Sequence, residues 1–286
     1  MRGARALGGV ATLHSLALCR LAYRHWVRRI LIVRPSFACA PVEPYVLELR
    51  NRLLASLRTE DLRLFERHLR EVPIEQGEML EEPGRFVDAV YFPQSGMISL
   101  IVQMPEDSGI EVGTVGSEGA VGMAVGLGSQ VSFICALVQV SGTALCIPAS
   151  RFRNAAGQSA RIRDLIARYS ELQLGQIQQT AGCNALHDVP SRLSRWLLQT
   201  SDKIGSDTIP FTHEFLGNML GVRRSTVTQA LSEFHAAGLL DGHRGQIMLL
   251  RRGELKKKAC PCYEIVRRHI DRLVPYSNER SNGDGR

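Results

Sequence analysis

The stretch from Thr212 to Phe234 combines basic, amide and hydroxyl side chains at helical spacing, a pattern typical of proteins that contact nucleic acid. Its apolar residues predict two short helices, the second of which buries Val227, Ala230, Leu231 and Phe234. The positions left facing outward are Arg224, Ser225, Thr228, Gln229 and Ser232. Such side chains form hydrogen bonds with base edges and phosphates when a helix lies in the major groove. The stretch therefore predicts a helix that reads double-stranded DNA.

The residues around the second helix predict a turn before it and a hairpin after it. Thr212 is placed to cap the first helix, and Gly221 supplies the positive φ that a tight turn between helices requires. The second helix is expected over residues 223–237, and two strands follow, with Arg244 at their tip near the phosphate backbone. This order is that of a winged helix-turn-helix. We expect DNA contacts from Thr212, Arg223, Arg224, Ser225, Thr226, Thr228, Gln229 and Arg244.

Two kinds of element precede this unit and must position it. Glycine and proline separate short β-rich runs between Val72 and Pro148, which predicts a β-barrel or a sandwich. A helix is then predicted from about Ala160 to Ala181, because apolar residues recur on one face from Ile162 to Ile177. That stripe can pack on the barrel or on the same helix of a second copy, and the pattern favours neither.

Charge is distributed unevenly along the 286 residues, whose formal net charge is +7. Residues 41–159 hold 9 Arg and 15 acidic residues, whereas residues 191–258 hold 11 basic and 6 acidic residues. This asymmetry indicates that only the later part of the chain meets a polyanion such as DNA.

The composition excludes several classes of protein. Hydrophobic residues make up 44% of the chain, too many for disorder along its whole length. The 7 cysteines are too few for a secreted disulfide scaffold, which favours a cytoplasmic protein. No run of roughly 18 apolar residues occurs, so we expect no membrane span and no membrane partner. Because no phosphate-binding glycine loop, paired catalytic carboxylates or activated nucleophile is recognisable, we do not expect an enzyme.

Residues 1–40 differ from the rest of the chain, since they contain 7 Arg and no acidic residue and show no hydrophobic period. Charges interrupt the apolar core that a secretory signal needs. The segment is therefore predicted to be a disordered basic extension or the product of a misplaced start codon.

From about Tyr45 to Lys258 the sequence resembles the Crp/Fnr family of bacterial transcription regulators, most clearly from Phe211 to Leu240. The resemblance implies an α+β fold with an amino-terminal jelly-roll β-barrel of the cyclic-nucleotide-binding type, a long dimerisation helix and a carboxy-terminal winged helix-turn-helix. The implied boundaries are 41–159 for the sensor barrel, 160–187 for the dimerisation helix and hinge, 188–258 for the DNA-binding domain and 259–286 for a carboxy-terminal helix and tail.

The same resemblance implies a homodimer that reads a palindromic site with one helix per half-site, and RNA polymerase as a further partner. Arg224 matches a base-reading Arg of the catabolite-activator branch. Ser225 and Gln229 replace the Glu and the second Arg with which the main branches read DNA, and Arg223 stands where a capping Ser or Thr is usual. The familiar half-site sequence is therefore not expected, and Gln229 is suited to reading adenine.

Binding of a cyclic nucleotide in the family's barrel depends on a Gly-Glu pair for the ribose and a later Arg for the cyclic phosphate. Glu118 and Gly119 occupy the first place and are candidate effector-binding residues, but residues 129–133 contain no Arg. Between Arg70 and Arg151 the only cationic side chain is that of Arg85. Because a buried phosphate without a cationic partner carries a large desolvation cost, cyclic AMP is disfavoured and the effector is unknown.

The cysteines predict neither a metal site nor a cofactor. Cys19 and Cys39 lie twenty residues apart, unlike the closely spaced cysteines of the family's oxygen-sensing branch. Cys260 and Cys262, with His269 nearby, supply at most half a tetrahedral ligand set. His187 lies near Cys183 without a third ligand in view and is interpreted as linker.

Two hypotheses for function follow. The first is a sequence-specific DNA-binding transcription regulator with a sensor barrel. The alternative is a ligand sensor whose basic carboxy-terminal region contacts a protein or an acidic membrane instead of DNA. The outward face of Arg224, Thr228 and Gln229 favours the first, because it lacks the large apolar residues of a protein interface.

Overall fold

The computed structural model describes residues 49–104, 109–243 and 245–274. The predictions for residues 1–40, including Cys19 and Cys39, and for Arg244 lie outside the described residues.

The described part contains ten strands and nine α-helices. The strands are β1 (Arg70–Ile74), β2 (Met79–Glu81), β3 (Ala89–Pro93), β4 (Met97–Gln103), β5 (Gly109–Val115), β6 (Cys135–Val140), β7 (Gly142–Pro148), β8 (Thr208–Ile209), β9 (Leu240–His243) and β10 (Gln246–Leu249). The helices are α1 (Arg52–Ala55), α2 (Thr59–Arg63), α3 (Ala149–Gln158), α4 (Ala160–Leu186), α5 (Val189–Ile204), α6 (His213–Leu220), α7 (Arg224–Ala236), α8 (Arg252–Lys258) and α9 (Cys262–Leu273). Short 3-10 helices cover Glu66–His68 and Met123–Leu127.

The amino-terminal half is a jelly-roll-like arrangement of two antiparallel sheets that do not close into a continuous barrel. One sheet has the order β1-β7-β3 and the other β2-β6-β4-β5. Alternate side chains of both sheets meet in one apolar core, which excludes water and holds the sheets together. Its buried members are Ile74, Tyr91, Ile98, Leu100, Val115, Val121, Ala136, Val138 and Ala144.

The long helix α4 uses its predicted apolar stripe within its own chain. Ser159 caps the helix by accepting a hydrogen bond from the Ile162 amide, and the helix continues to Leu186, beyond the predicted end. Ile162, Leu165, Ile166, Tyr169 and Leu172 are buried in a core shared with α3 and the strands. Of the two alternatives for this stripe, packing on the barrel is the one observed.

The junction between α4 and α5 is very short. His187 and Asp188 are both extended, and Asp188 caps α5 by accepting a hydrogen bond from the Ser191 amide at 2.8 Å. Pro190 lies in the first turn, where its missing N–H costs nothing.

The carboxy-terminal half is a helical unit with a small sheet. Helices α5, α6 and α7 surround a buried cluster, and a three-stranded sheet of order β8-β10-β9 covers one end. The predicted hairpin β9-β10 is present, and β8 adds a strand that the sequence did not indicate. Helix α9 then returns to pack along α4. Within the described residues, no helix has the length and hydropathy needed to cross a bilayer.

Candidate nucleic-acid interface

The turn between α6 and α7 fixes the angle at which α7 is presented. Thr212 caps α6 through a hydrogen bond from the Phe215 amide at 3.2 Å, as predicted. Gly221 ends the helix in the left-handed region with φ 65°, and the Val222 amide donates to the Gly217 carbonyl at 2.8 Å. A Cβ on Gly217 would lie 2.9 Å from the Val222 carbonyl oxygen. The helices can approach this closely only because that position is glycine.

Apolar packing beneath α7 is as the sequence predicts. Val227, Ala230, Leu231 and Phe234 are all buried, and they contact the inner faces of α5 and α6. Each buried side chain of this size contributes up to about 1.5–3 kcal/mol by removing apolar surface from water. This stripe fixes the rotation of α7 about its axis and therefore which residues face solvent.

The outer face of α7 is polar and basic. Arg223, Arg224, Ser225, Thr226 and Gln229 are exposed. Arg223 is the N-cap residue of α7, but its side chain makes no capping hydrogen bond. Its guanidinium group therefore does not stabilise the start of the helix. The Gln229 amide donates to the Glu233 carboxylate at 3.2 Å, one turn further along. The face thus presents hydrogen-bonding groups and no large apolar side chain.

Thr228 differs from the prediction, because it is half-buried and its hydroxyl lies 3.0 Å from Nδ1 of His213. Burial lowers the pKa of His213, and the neighbouring Arg224 lowers it further. Thr228 therefore joins α7 to the start of α6, where it positions the helix as well as bordering its outer face.

Arg251 is a residue that sequence reasoning missed. Its guanidinium donates to the carbonyls of Gly238 at 2.9 Å and Ala237 at 3.0 Å, which are unpaired at the end of α7. A cation at a helix carboxy terminus is also favoured by the helix dipole. No sequence pattern indicates this contact, because Arg251 follows Gly238 by thirteen positions.

The helical unit packs directly on the sheet of the same chain. Trp196 of α5 donates its indole N–H to the Glu111 carboxylate of β5 at 2.7 Å, and Glu111 also accepts from Ser99. Burial raises the pKa of Glu111 to about 7, although Ser99, Trp196 and the nearby Arg195 all favour the carboxylate. The contact joins the two halves of the molecule through a buried ionisable group.

Glu118 and Gly119 are both engaged in contacts within the chain. Glu118 is buried and forms an ion pair with Lys203 of α5. Burial alone would raise the pKa of Glu118, but Lys203 and the Gly116 amide outweigh it and hold that pKa below its usual value. Gly119 lies against Tyr169, whose hydroxyl oxygen would be 2.3 Å from an added Cβ. In this conformation neither residue presents a free group to an effector.

The cationic side chain that the sequence offers between Arg70 and Arg151 does not face the core of the sheets. Arg85 is about half exposed and lies 3.8 Å from Glu82, at the surface. Among the described residues, the space between the two sheets is occupied by the apolar core. That cyclic AMP is disfavoured stays a prediction, and Lys203, which pairs with Glu118, is a cation near the barrel that the sequence did not place there.

The structure corrects the interpretation of the cysteines near the carboxy terminus. Cys183, His187, Cys260 and Cys262 come together, with all four candidate ligand atoms within 4.8 Å of one another. The hydrogen bond between Cys183 and Cys260 lowers the pKa of the Cys183 thiol, which Arg195 lowers further, and the same contact raises the pKa of Cys260. His269 is not a member of this group. His187 thus belongs to a cluster of candidate metal ligands as well as to the linker between α4 and α5. The sequence did not reveal this cluster, because Cys183 and Cys260 lie 77 positions apart.

Comparisons with known proteins agree with this geometry. A family model described as the Crp-like helix-turn-helix domain matches residues 191–258. A Crp/Fnr-family transcriptional regulator from Eubacterium rectale is 17% identical, with a TM-score of 0.59 over 74% of this chain and 99% of that one. FixK2 from Bradyrhizobium japonicum is 16% identical, with a TM-score of 0.59 over 67% of this chain and 98% of its own.

The c-di-GMP-responsive global regulator CLP from Xanthomonas campestris is 20% identical, with a TM-score of 0.56 over 67% of this chain and 99% of CLP. These likenesses show the fold, whereas the family model identifies the helix-turn-helix domain itself. No curated protein matches the sequence.

Replacing Gly217 with Ala is expected to destabilise the protein by about 1–3 kcal/mol, because the added methyl group meets the Val222 backbone. Gly157→Ala is the matched control, since its added Cβ meets nothing within 4 Å and alanine is the better helix former by up to about 1 kcal/mol. Urea denaturation of both variants measures the difference. Equal stability of the two variants would contradict the close approach of α6 and α7.

The buried carboxyl of Glu111 predicts a pH dependence of stability. A folded-state pKa raised to about 7 favours the protonated form, so the free energy of unfolding falls as pH rises from about 4.5 through 7. Glu111→Gln removes this loss and should gain on the wild type by about 2–3 kcal/mol between pH 4.5 and 8. Denaturation curves across that range test this, with the exposed Glu71→Gln as control. A constant difference between Glu111→Gln and wild type would contradict it.

Proposed function

We propose that this chain, which carries a Crp-like helix-turn-helix domain at residues 191–258 on the fold of Crp/Fnr regulators, is a sequence-specific DNA-binding transcription regulator. The observation that carries this conclusion is the outer face of α7. That face is exposed, basic and hydrogen-bonding, and a buried stripe on the opposite side holds it in place.

We infer that α7 lies in the major groove with its amino-terminal half toward the bases. Arg224 is suited to bidentate hydrogen bonds with guanine, and the amide of Gln229 is suited to adenine. Ser225 and Thr226 supply shorter donors and acceptors beside them. Thr212 and Arg223 lie at the turn, where contacts to phosphates fix the register of the helix on the duplex. Arg244 at the hairpin tip stays a prediction for the same backbone contact.

The outer face of α7 does not support the alternative hypothesis of a sensor whose basic end contacts a protein or a membrane. Stable protein interfaces bury apolar and aromatic side chains at their centre. On α7 the apolar residues face inward, and only hydroxyl, amide and charged groups face solvent at its amino-terminal half. Base edges and phosphates match this chemistry better than a protein surface does.

Arg224→Ala should weaken binding to the preferred duplex by about 1–3 kcal/mol and relax specificity at one base pair of each half-site. Binding sites selected from a random DNA pool, followed by fluorescence anisotropy at fixed salt, measure both effects. Arg85→Ala is the control, because it removes the same charge from the surface of the β-sheet half. Equal affinity of wild type and Arg224→Ala for every duplex would reject the assignment of α7.

We further propose a homodimer built on an outer face of α4. Exposed residues recur on this face at alternating intervals of four and three, the spacing of a coiled-coil seam: Ala167, Glu171, Leu174, Gln178, Ala181 and Ala185. Leu174 is 54% exposed, and added Cβ atoms on Gly175 and Gly182 would meet nothing within 4 Å. A second copy of α4 would cover Leu174 and place two α7 helices on one side of the pair.

Leu174→Glu should shift the protein from dimer to monomer, since it places a charge at the centre of the proposed seam while costing the single chain nothing. Light scattering and analytical ultracentrifugation across a concentration series measure the state. Leu127→Glu, at a leucine that is 51% exposed near α3, is the matched control and should leave the dimer intact. A wild type that is monomeric at all concentrations would remove this part of the proposal.

The remaining parts of the proposal concern the sensor half and the partners. The effector is unassigned, because Glu118 and Gly119 are engaged in contacts within the chain and Arg85 lies at the surface. A regulator of this kind works in the cytoplasm beside the DNA. It acts on transcription through contact with RNA polymerase.

A further inference from the structure

Two segments that are distant in sequence bring four metal-binding side chains together. Cys183 lies in the last turn of α4 and His187 immediately follows that helix. Cys260 precedes α9, and Cys262 is its first residue. The amide of Cys260 also donates to the Ser191 carbonyl in α5 at 3.4 Å, which ties the carboxy-terminal segment to the hinge.

The distances within the cluster match a tetrahedral ion. The sulfurs of Cys183 and Cys260 lie 3.5 Å apart, and the Cys262 sulfur lies 3.5 Å from Nδ1 of His187. With bonds of about 2.3 Å from zinc to sulfur and about 2.0 Å from zinc to nitrogen, tetrahedral ligands are separated by about 3.5–3.8 Å. All four ligand atoms lie within 4.8 Å of one another.

We propose that Cys183, His187, Cys260 and Cys262 form a Cys3His site for one zinc ion. Three thiolates and one imidazole complete a closed, structural coordination shell with no position left for a substrate. A compact set of this size surrounds one ion, whereas an iron-sulfur cluster needs its cysteines spread around two or more iron atoms.

The surroundings of the cluster suit bound thiolates. All three cysteines are buried, so the thiolates are shielded from water. The side chain of Gln179 donates a hydrogen bond to the Cys262 sulfur at 3.0 Å, and such a bond to a metal ligand holds that ligand in its orientation. Arg192 and Arg195 are buried and lie near the thiols, and each has an Nε atom with no hydrogen-bond partner among the described residues. Their charge offsets the negative charge of a zinc ion bound by three thiolates.

The position of the site gives the ion a structural task. It joins the end of α4 to the start of α9 at the junction that leads into α5. Zinc binding therefore stabilises the hinge between the long helix and the helix-turn-helix domain, because the binding energy is available only when both ligand-bearing segments are in place.

Elemental analysis and native mass spectrometry of the full chain, purified under reducing conditions without chelator, test the site directly. We expect one zinc ion per chain. Cys183→Ser and Cys262→Ser should each lower zinc affinity by tenfold or more, whereas Cys146→Ser, in β7 on the other half of the molecule, should retain full occupancy. Metal content is measured without DNA, so its outcome is separate from that of the DNA-binding experiments.

Cobalt substitution gives a second readout that does not depend on the folding of a variant. Metal-free wild type titrated with Co²⁺ should develop the intense bands of tetrahedral cobalt-thiolate coordination, saturating at one equivalent, and zinc should displace them. Three results would overturn the proposal: no metal and no cobalt spectrum with the thiols reduced, a Cys183–Cys260 disulfide in the metal-free protein, or iron with labile sulfide in place of zinc.

Discussion

Trp196 is the side chain that connects the β-sheet half of the molecule to the helix-turn-helix half. Its indole ring packs edge-on against Phe211 and Phe215 inside the helix-turn-helix, with centroids at 5.2 and 6.2 Å. Its N–H reaches Glu111 in the sheet at 2.7 Å. One apolar cluster therefore runs from β4 and β6 into α7 without a break. Because the cluster is continuous, the sheet and α7 share a single packing arrangement, and a displacement of one would disturb the packing of the other.

The elements with local signals could be predicted from the sequence. Thr212, Gly221 and the stripe from Val227 to Phe234 determine the helix-turn-helix through capping, a positive φ and a 3.6-residue period, all of which act within a few residues. The strands β1, β2 and β7 lacked a clear run of apolar alternation and were less evident. Their place is set by pairing between distant strands, such as Arg70 with Cys146.

The functional features that the sequence concealed are all long-range. The contacting pairs are Lys203 with Glu118, Trp196 with Glu111, and Cys183 with Cys260. Their sequence separations are 85, 85 and 77 positions. No periodicity or motif connects residues at such separations. The stripe on α4 shows the complementary limit, because its period predicted a buried face correctly but could not tell a core from a dimer seam. Packing of the whole chain decided that question.

The short junction at His187 and Asp188 limits the spacing of the two α7 helices in the proposed dimer. Only these two extended residues separate two helices of 27 and 16 residues, so reorientation of one rigid rod against the other is confined to their four backbone dihedral angles. A rotation of a few degrees there is magnified along α5 into a shift of ångströms at α7. In the proposed dimer, the length of the spacer between two DNA half-sites would therefore depend on the backbone angles of these two residues.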